Sequence, residues 1–323
     1  MRSQCGLYVD AGYLLAGVAT RLTGTSLRSG IKVDFEELIA KLTARAEEIA
    51  RLPLLRVNWY DASHNALPGA EHQRIGSLPK VKVRLGRIGF QGEQKGVDLR
   101  IGLDMVAHAR YGAVDMILLV SGDDDLTEAV EEAQMHGVQV VVLAIPDNNG
   151  HPHGVSPHLQ RAADGIELAT ADDLTSVQAA VMIPPPSSVS MPRSSVQVTP
   201  KPAPPSTHLT SIVGPGRLEA PYIAYRTETG VKSHTQGENL FSSQEVSNAI
   251  DNVVSGVVKS LLSSTSEEQR ADMIKAKPSV PREVDRALLL DLAERLNDYD
   301  LSDRTRFQLR QRFWDEFATA QVD

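Results

Sequence analysis

Aspartates that follow apolar segments are the residues of this 323-residue sequence best placed to do chemistry. Asp10 comes directly after the apolar residues 6–9 (GLYV), and Asp123 opens a run of three aspartates just beyond the apolar residues 116–120 (MILLV). Both apolar runs are typical of buried strands. If the two strands are neighbours where the strand order of an open α/β sheet reverses, their acids meet at the edge where such sheets bind ligands.

Carboxylates held this close cannot all stay ionised unaided. Each raises the pKa of the others unless a cation compensates, and hard divalent ions such as Mg²⁺ or Mn²⁺ prefer oxygen ligands. The cluster therefore predicts a metal site. The simpler alternative is that Asp10 and Asp123 cap the helices that follow them, a common role for Asp after a strand.

Asp98 is a further candidate, because it stands in the segment 95–98 (KGVD) at the start of a predicted helix. A role at the helix N-terminus is the alternative there too. Asp104 lies six residues later, about 240° round the same helix, so the two side chains cannot both point into one site. Asp104 is therefore expected to act on the site only through another residue.

Basic residues gather in the segment 74–100, within a chain whose formal net charge is -8. Such a local excess is typical of a surface that binds a polyanion. A solvated strand edge kept soluble by Lys and Arg is an equally good explanation of the charge alone. The basic residues of the segment are Arg74, Lys80, Lys82, Arg84, Arg87, Lys95 and Arg100.

Strand-like and helix-like segments alternate through the first half of the chain. Parallel strands need crossovers of a dozen or more residues, so this alternation predicts an α/β fold with a parallel sheet and helices on both faces. The predicted strands are 6–9, 54–60, 80–85, 116–120 and 138–143, the predicted helices are 13–22, 34–51, 97–110 and 126–136, and a short pair of elements falls near 156–168.

The composition changes after this region. Residues 181–240 are rich in Pro and Ser, which predicts a flexible linker, and residues 241–323 return to apolar residues at helical spacing. We therefore predict a folded domain over 1–175, the linker, and a small C-terminal helical module. The helix from Ser243 to Leu262 has an apolar stripe wide enough to pack within its own module or against a second chain.

Composition also limits the class of protein. No apolar run approaches the roughly 18 to 20 residues that span a bilayer, and the single cysteine, Cys5, excludes an internal disulfide, so a cytoplasmic protein without membrane contact is expected. The histidines are dispersed and are expected at the surface. The sequence has no G-x-S-x-G, P-loop or H-E-x-x-H pattern, which disfavours an α/β-hydrolase, a P-loop NTPase and a zinc protease.

Three segments together resemble a known family. Residues 8–13 (YVDAGY), 95–98 with Asp104, and 120–125 (VSGDDD) are similar, in order and placement, to the motifs of a NYN domain of the PIN-like nuclease superfamily. The resemblance covers roughly residues 1–170. It implies a PIN-like, Rossmann-like sheet whose acids hold Mg²⁺ or Mn²⁺ and cleave RNA with a metal-activated water.

The resemblance also implies roles for particular residues. Asp10, Asp98, Asp123 and Asp125 would be the catalytic and metal-binding acids, with Asp104 and Asp124 behind them. RNA is the expected partner, with single-stranded DNA left open. The candidate substrate contacts are Tyr13, Lys95, Arg84, Arg87 and Ser121.

Two positions depart from the family pattern. Tyr13 stands where the family often carries Asn, and Asp124 where it commonly has a small residue. Loss of the Asn removes a polar ligand and supports an alternative, a noncatalytic domain that binds RNA or a protein. The helical module would then mediate a homo-oligomer or a protein contact. A phosphatase or receiver-like domain also groups Asp residues around a metal, but the Lys it needs on a later strand is missing.

Overall fold

A seven-stranded sheet forms the centre of the protein in a computed structural model, which describes residues 3–88, 94–180, 243–298 and 301–320. Six of the strands are parallel, and the short β5 is antiparallel to its neighbour. The order across the sheet is β5-β4-β3-β1-β6-β7-β8. The strands are β1 (Cys5–Asp10), β3 (Leu54–Ser63), β4 (Val81–Ile88), β5 (Gln94–Lys95), β6 (Met116–Val120), β7 (Gln139–Ala144) and β8 (Gly165–Leu168).

Helices cover both faces of this sheet, as the alternation of elements predicted. Residues of β1 alternate between the two sides, because successive side chains of a strand point to opposite faces. Leu7 and Val9 pack in the core with Leu38, whereas Tyr8 packs in the other core with Ile101. The helices of this region are α1 (Ala11–Thr23), α2 (Phe35–Ala50), α3 (Ala70–Gly76), α4 (Val97–Arg110), α5 (Thr127–Met135) and α6 (Pro157–Ala162).

The structure differs from the sequence prediction in short elements. The helix α3 lies between the predicted strands 54–60 and 80–85, where the sequence predicted no helix. A second, two-stranded antiparallel sheet joins β2 (Ile31–Val33) to β9 (Val177–Ala179). Elements of three to seven residues carry too few apolar positions to show a period, so their sequences resemble loops.

Four helices follow the predicted linker, which lies outside the described residues. They share a third core, which buries the apolar stripe predicted for the helix that begins at Ser243. Phe307, in the last of the four helices, is 68% exposed. No helix in the described ranges meets the length and hydropathy required to cross a bilayer. The helices are α7 (Ser243–Ser264), α8 (Glu267–Lys275), α9 (Arg282–Leu296) and α10 (Asp303–Thr319).

This helical module packs against the sheet domain, and the two belong to one compact unit. Leu27, from the loop after α1, is fully buried among the apolar residues of the module. The same loop lies close to α7, since a Cβ added at Gly30 would lie only 2.7 Å from the side-chain oxygen Oγ of Ser260. The loop of residues 24–30 is therefore the docking point of the module.

Candidate active site

The site lies where the strand order reverses. From β1 the chain builds β3 and β4 on one side, then returns through α4 to build β6 on the other side of β1. Val9 pairs with Val120, so Asp10 and Asp123 leave adjacent strands at the same edge. We call this the carboxyl edge. It is the position at which open α/β sheets bind ligands, and the two strands are neighbours there, which meets the condition set in the sequence analysis.

Asp10 is both a helix cap and a member of a charged cluster. Its carboxylate accepts hydrogen bonds from the backbone N–H groups of Gly12 (2.7 Å) and Tyr13 (3.2 Å), which fixes it at the N-terminus of α1. Burial and the charge of Asp98 raise its pKa to about 6, against those hydrogen bonds and the positive charges of two arginines. The cap therefore orients a carboxylate whose ionised form is disfavoured by burial and by the charge of Asp98.

Asp98 and Asp123 share the same environment. Burial raises the pKa of Asp98, and the charges of Asp123 and Asp125 raise it further. Burial also raises the pKa of Asp123, with Asp125 adding to the effect, although the N–H of Asp125 donates to its carboxylate at 3.0 Å. Asp125 itself is exposed. We call Asp10, Asp98, Asp123 and Asp125 the carboxylate cluster, because the charges of its members act on one another.

The donor chemistry of this cluster fits Mg²⁺ or Mn²⁺ in one particular way. In the described ranges, no three Asp, Glu, His or Cys side chains are grouped so as to hold a metal ion by themselves. That excludes from these ranges a closed cage of the kind structural zinc uses. Magnesium, however, usually binds through one or two carboxylates and completes its shell with water and substrate phosphate. The carboxylate cluster meets this looser requirement.

The other polar residues and the glycine of the segment 120–125 have structural partners. Ser121 is fully buried and accepts a hydrogen bond from the N–H of Asp123, while the exposed Asp124 accepts one from the hydroxyl of Ser156 at 2.6 Å. Gly122 must be glycine, because a Cβ there would lie 1.8 Å from the carbonyl oxygen of Gly154. The turn after β6 is thus locked by the loop that precedes α6.

Tyr13 connects α1 to that same loop. Its hydroxyl donates to the carbonyl of His153 at 2.8 Å and accepts from the N–H of Ile145 at 3.2 Å. Burial raises the pKa of the phenol above its ordinary value, which keeps it protonated as a donor. The hydroxyl at the position where the family often has Asn is therefore used to hold a loop.

Arg84 and Asp104 form a separate polar group. Arg84 donates two hydrogen bonds to Asp104, one of them from Nε at 2.8 Å, and the hydroxyl of Tyr60 adds a third at 2.9 Å. Burial alone would raise the pKa of Asp104, but these donors hold it below its ordinary value. The guanidinium of Arg84 is thereby already paired.

The remaining basic candidates, Arg87 and Lys95, lie on β4 and β5. Arg87 is exposed on β4 and its backbone pairs with that of Lys95 on β5, whose side chain is outside the described structure. Neither residue is placed against the carboxylate cluster by a described contact.

Sequence reasoning missed three functional candidates, which are Asp61, Arg28 and Arg286. Asp61 follows Tyr60, the register partner of Asp10, so it also reaches the carboxyl edge. Its carboxylate lies 3.7 Å from Nη1 of Arg28 and 3.1 Å from Nε2 of His72. The third is Arg286 on α9, whose charge interacts with Asp10, Asp61 and Asp98. Only the apolar-to-polar change at the end of β3 could have indicated Asp61.

Comparison with known proteins decides the family. The model of the NYN domain matches residues 5–168, about half of the chain and the whole of the seven-stranded sheet. The chain belongs to the NYN domain family. The NYN domain is a PIN-like nuclease superfamily domain, and its matched range contains every member of the carboxylate cluster. Nucleases of this kind typically use divalent metals.

One relative among curated proteins is also similar to this chain. The chain is 40% identical over 95 residues to the uncharacterized protein y4oD of Sinorhizobium fredii (strain NBRC 101917 / NGR234). The match covers 29% of this chain and 43% of that protein. The chain thus spans less than half the length of this relative.

Proposed function

We propose that this protein is a Mg²⁺- or Mn²⁺-dependent endoribonuclease whose active site is the carboxylate cluster. The observation that carries the proposal is the mutual charge of Asp10, Asp98 and Asp123 at the carboxyl edge of a NYN domain, where each carboxylate is destabilised by burial and by its neighbours. A divalent cation relieves that repulsion and turns the cluster into a binding site.

The residues of the cluster have distinct tasks in this proposal. Asp10, fixed by the first N–H groups of α1, provides the most rigid carboxylate, and Asp98 and Asp123 approach it from α4 and the turn after β6. Asp125 is exposed and faces incoming substrate and solvent. A bound ion supplies a water of lowered pKa and stabilises negative charge on the phosphate. The protein groups position that chemistry.

Single-stranded RNA is the proposed substrate. The formal net charge of -8 disfavours binding of nucleic acid over the whole surface, so contacts must be local. Two exposed arginines of the basic segment are available for such contacts. Arg74 lies on α3 and Arg87 on β4. Single-stranded DNA has the same phosphate chemistry and serves as a competing substrate in the test.

The test is cleavage of a mixed RNA ladder by the purified full-length protein, with Mn²⁺ or with EDTA, beside an Asp123→Asn variant. Glu128→Gln is the matched control, because Glu128 is an exposed acid five residues further along the chain. We expect Mn²⁺-dependent cleavage by the wild type and the control and none by Asp123→Asn. Cleavage that survives EDTA or the Asp123 substitution would overturn the proposal.

A noncatalytic RNA-binding domain is the second candidate. It is favoured by the lack of a three-residue metal cage among the described residues and by the structural use of the Tyr13 hydroxyl. In the same experiment this function gives intact RNA with Mn²⁺ and unchanged RNA binding. The cleavage assay and a binding assay on one protein sample therefore separate the two functions.

A further inference from the structure

The helix α9 approaches the NYN domain through one polar face. Glu283 accepts from the backbone N–H of Ser29 at 2.6 Å, and Asp291 accepts from that of Ser26 at 3.0 Å. One turn further, the carboxylate of Glu294 lies 3.3 Å from Nε2 of His153, a histidine that is partly buried and not fully at the surface as expected. These contacts span about three turns of helix, so α9 is held along most of its length.

Arg286 lies on this same face of α9. It follows Glu283 by three residues, which places the two side chains about 60° apart round the helix. Its charge interacts with Asp10 on β1, Asp61 on β3 and Asp98 on α4. The guanidinium of Arg286 is therefore within electrostatic reach of carboxylates from three different elements.

A second guanidinium, that of Arg28, interacts electrostatically with Arg286 and has unused hydrogen-bonding capacity. Arg28 is in the docking loop, and its Nη1 is 3.7 Å from Asp61, too far for a hydrogen bond. Its Nη2 is buried and has no hydrogen-bond partner. Buried donors without partners are rare because they lose their hydration without compensation. Arg28 and Arg286 also repel each other electrostatically.

We propose that Arg28 and Arg286 together bind a phosphate group of the RNA at the carboxyl edge, so that α9 of the C-terminal module completes the substrate site. An anion between the two guanidinium groups would relieve their repulsion and accept the free hydrogen bonds of Arg28. Guanidinium groups suit this role because their planar donors match the oxygens of a phosphate. The proposal rests on the proposed function only in taking RNA as the ligand.

The competing role for Arg286 is that of an internal counter-charge for the carboxylates. Both roles place the positive charge of Arg286 at the site, but removal of that charge affects Mn²⁺ binding and RNA affinity differently in the two cases. A counter-charge competes with divalent metal, so its loss strengthens Mn²⁺ binding and leaves RNA affinity unchanged. A phosphate ligand contributes to RNA affinity when metal is absent.

The experiment measures binding of a fluorescein-labelled single-stranded RNA to full-length protein by anisotropy, in EDTA and across a range of salt. The variants are Arg286→Gln, Arg286→Lys and Arg28→Gln. The matched control is Arg295→Gln, which removes the same charge from an exposed position on the opposite side of α9. Melting temperatures show that each variant is folded.

We expect Arg286→Gln and Arg28→Gln each to raise Kd about 10-fold at low salt and to reduce the salt slope by about 0.7, the value for one phosphate contact to a single strand. Arg286→Lys should keep the slope with weaker affinity, and Arg295→Gln should match the wild type. A Kd that is equal for Arg286→Gln and Arg295→Gln overturns this proposal, as does tighter Mn²⁺ binding with unchanged RNA affinity.

Failure of the proposed function gives a different result. A wild type that binds RNA through Arg286 but never cleaves it contradicts the endoribonuclease and leaves this phosphate site standing. A wild type that cleaves RNA with binding independent of Arg286 contradicts the phosphate site alone. No RNA binding by the wild type contradicts both.

Discussion

Asp98 and Asp104 lie on one helix, α4, and have opposite electrostatic environments. Asp98, in the first turn, faces Asp123 and Asp125, and its pKa is raised by burial and by their charges. Asp104 is saturated by Arg84 and Tyr60, and its pKa is lowered in spite of burial. Both residues are aspartates, and their neighbours make the difference. Asp104 is neutralised by protein groups, whereas Asp98 keeps the capacity to bind a cation.

The difference teaches how this fold separates stability from function. Asp104 makes its contacts with β3 and β4, where it joins a helix to the sheet. Asp98 has acidic neighbours at the end of β1 and on the turn after β6, and the charge of Arg286 lowers its pKa by less than burial and these acids raise it. A site that must accept a metal and a phosphate needs such unsatisfied groups, and they cost stability. Substitutions at the two positions should therefore have opposite consequences.

The largest effect should be on cleavage. Asp98→Asn removes a proposed metal ligand and should lower the rate of RNA cleavage in Mn²⁺ by at least about 100-fold, since even groups behind metal ligands matter by about 10- to 100-fold. Asp104→Asn should remain within a few-fold of the wild type. Initial rates with one RNA and several Mn²⁺ concentrations measure both. Equal losses of cleavage rate in the two variants would contradict the assignment of Asp98, and not Asp104, as a metal ligand.

The free energy of unfolding should show the reverse order, with the larger loss in the Asp104 variant. Asp104→Asn leaves Arg84 and Tyr60 with a weaker acceptor and should lower the free energy of unfolding by about 1–2 kcal/mol, a value discounted because the Arg84 side chain is 34% exposed. Asp98→Asn should leave it unchanged or raise it, because charge repulsion is removed. Urea denaturation in EDTA measures both. A more stable Asp104→Asn variant would contradict the pairing described above.

The smallest effect should be in the pH dependence. The pKa of Asp104 is below its ordinary value of 3.8, so its stabilising contribution is present at neutral pH and is lost as pH falls below about 4. The stability gap between the wild type and Asp104→Asn should narrow there. The pKa of Asp98 is raised, so ionisation opposes folding and the wild type should lose stability relative to Asp98→Asn as pH rises above about 4. Urea titrations at several pH values in EDTA test both signs, and parallel curves would contradict them.

Much of the fold was predictable because its long elements carry clear periods. Helix α4 and strand β6 begin and end at the predicted residues, 97–110 and 116–120. The short α3 and the β2–β9 pair were not predictable. Pairing of β2 with β9 depends on segments nearly 150 residues apart, and three-residue strands leave no pattern of their own.

The candidate site was predictable only where chemistry follows directly from an element end. Asp10 and Asp123 come after strands, so their convergence could be inferred from topology. Asp61 was missed because β3 runs to Ser63, beyond the predicted end at residue 60. Arg28 and Arg286 are 258 positions apart, and their charges interact only because the helical module docks on the loop of residues 24–30, a contact that no local spacing encodes.

Binding of Mn²⁺ to metal-free full-length protein tests the central claim, that the carboxylate cluster is a metal site, most directly. Electron paramagnetic resonance reads the free ion during titration of the wild type, Asp98→Asn and Asp104→Asn. We predict that the wild type and Asp104→Asn bind Mn²⁺ alike and that Asp98→Asn binds it at least about 10-fold more weakly. Equal binding by Asp98→Asn and the wild type, or no binding by the wild type, would contradict the account.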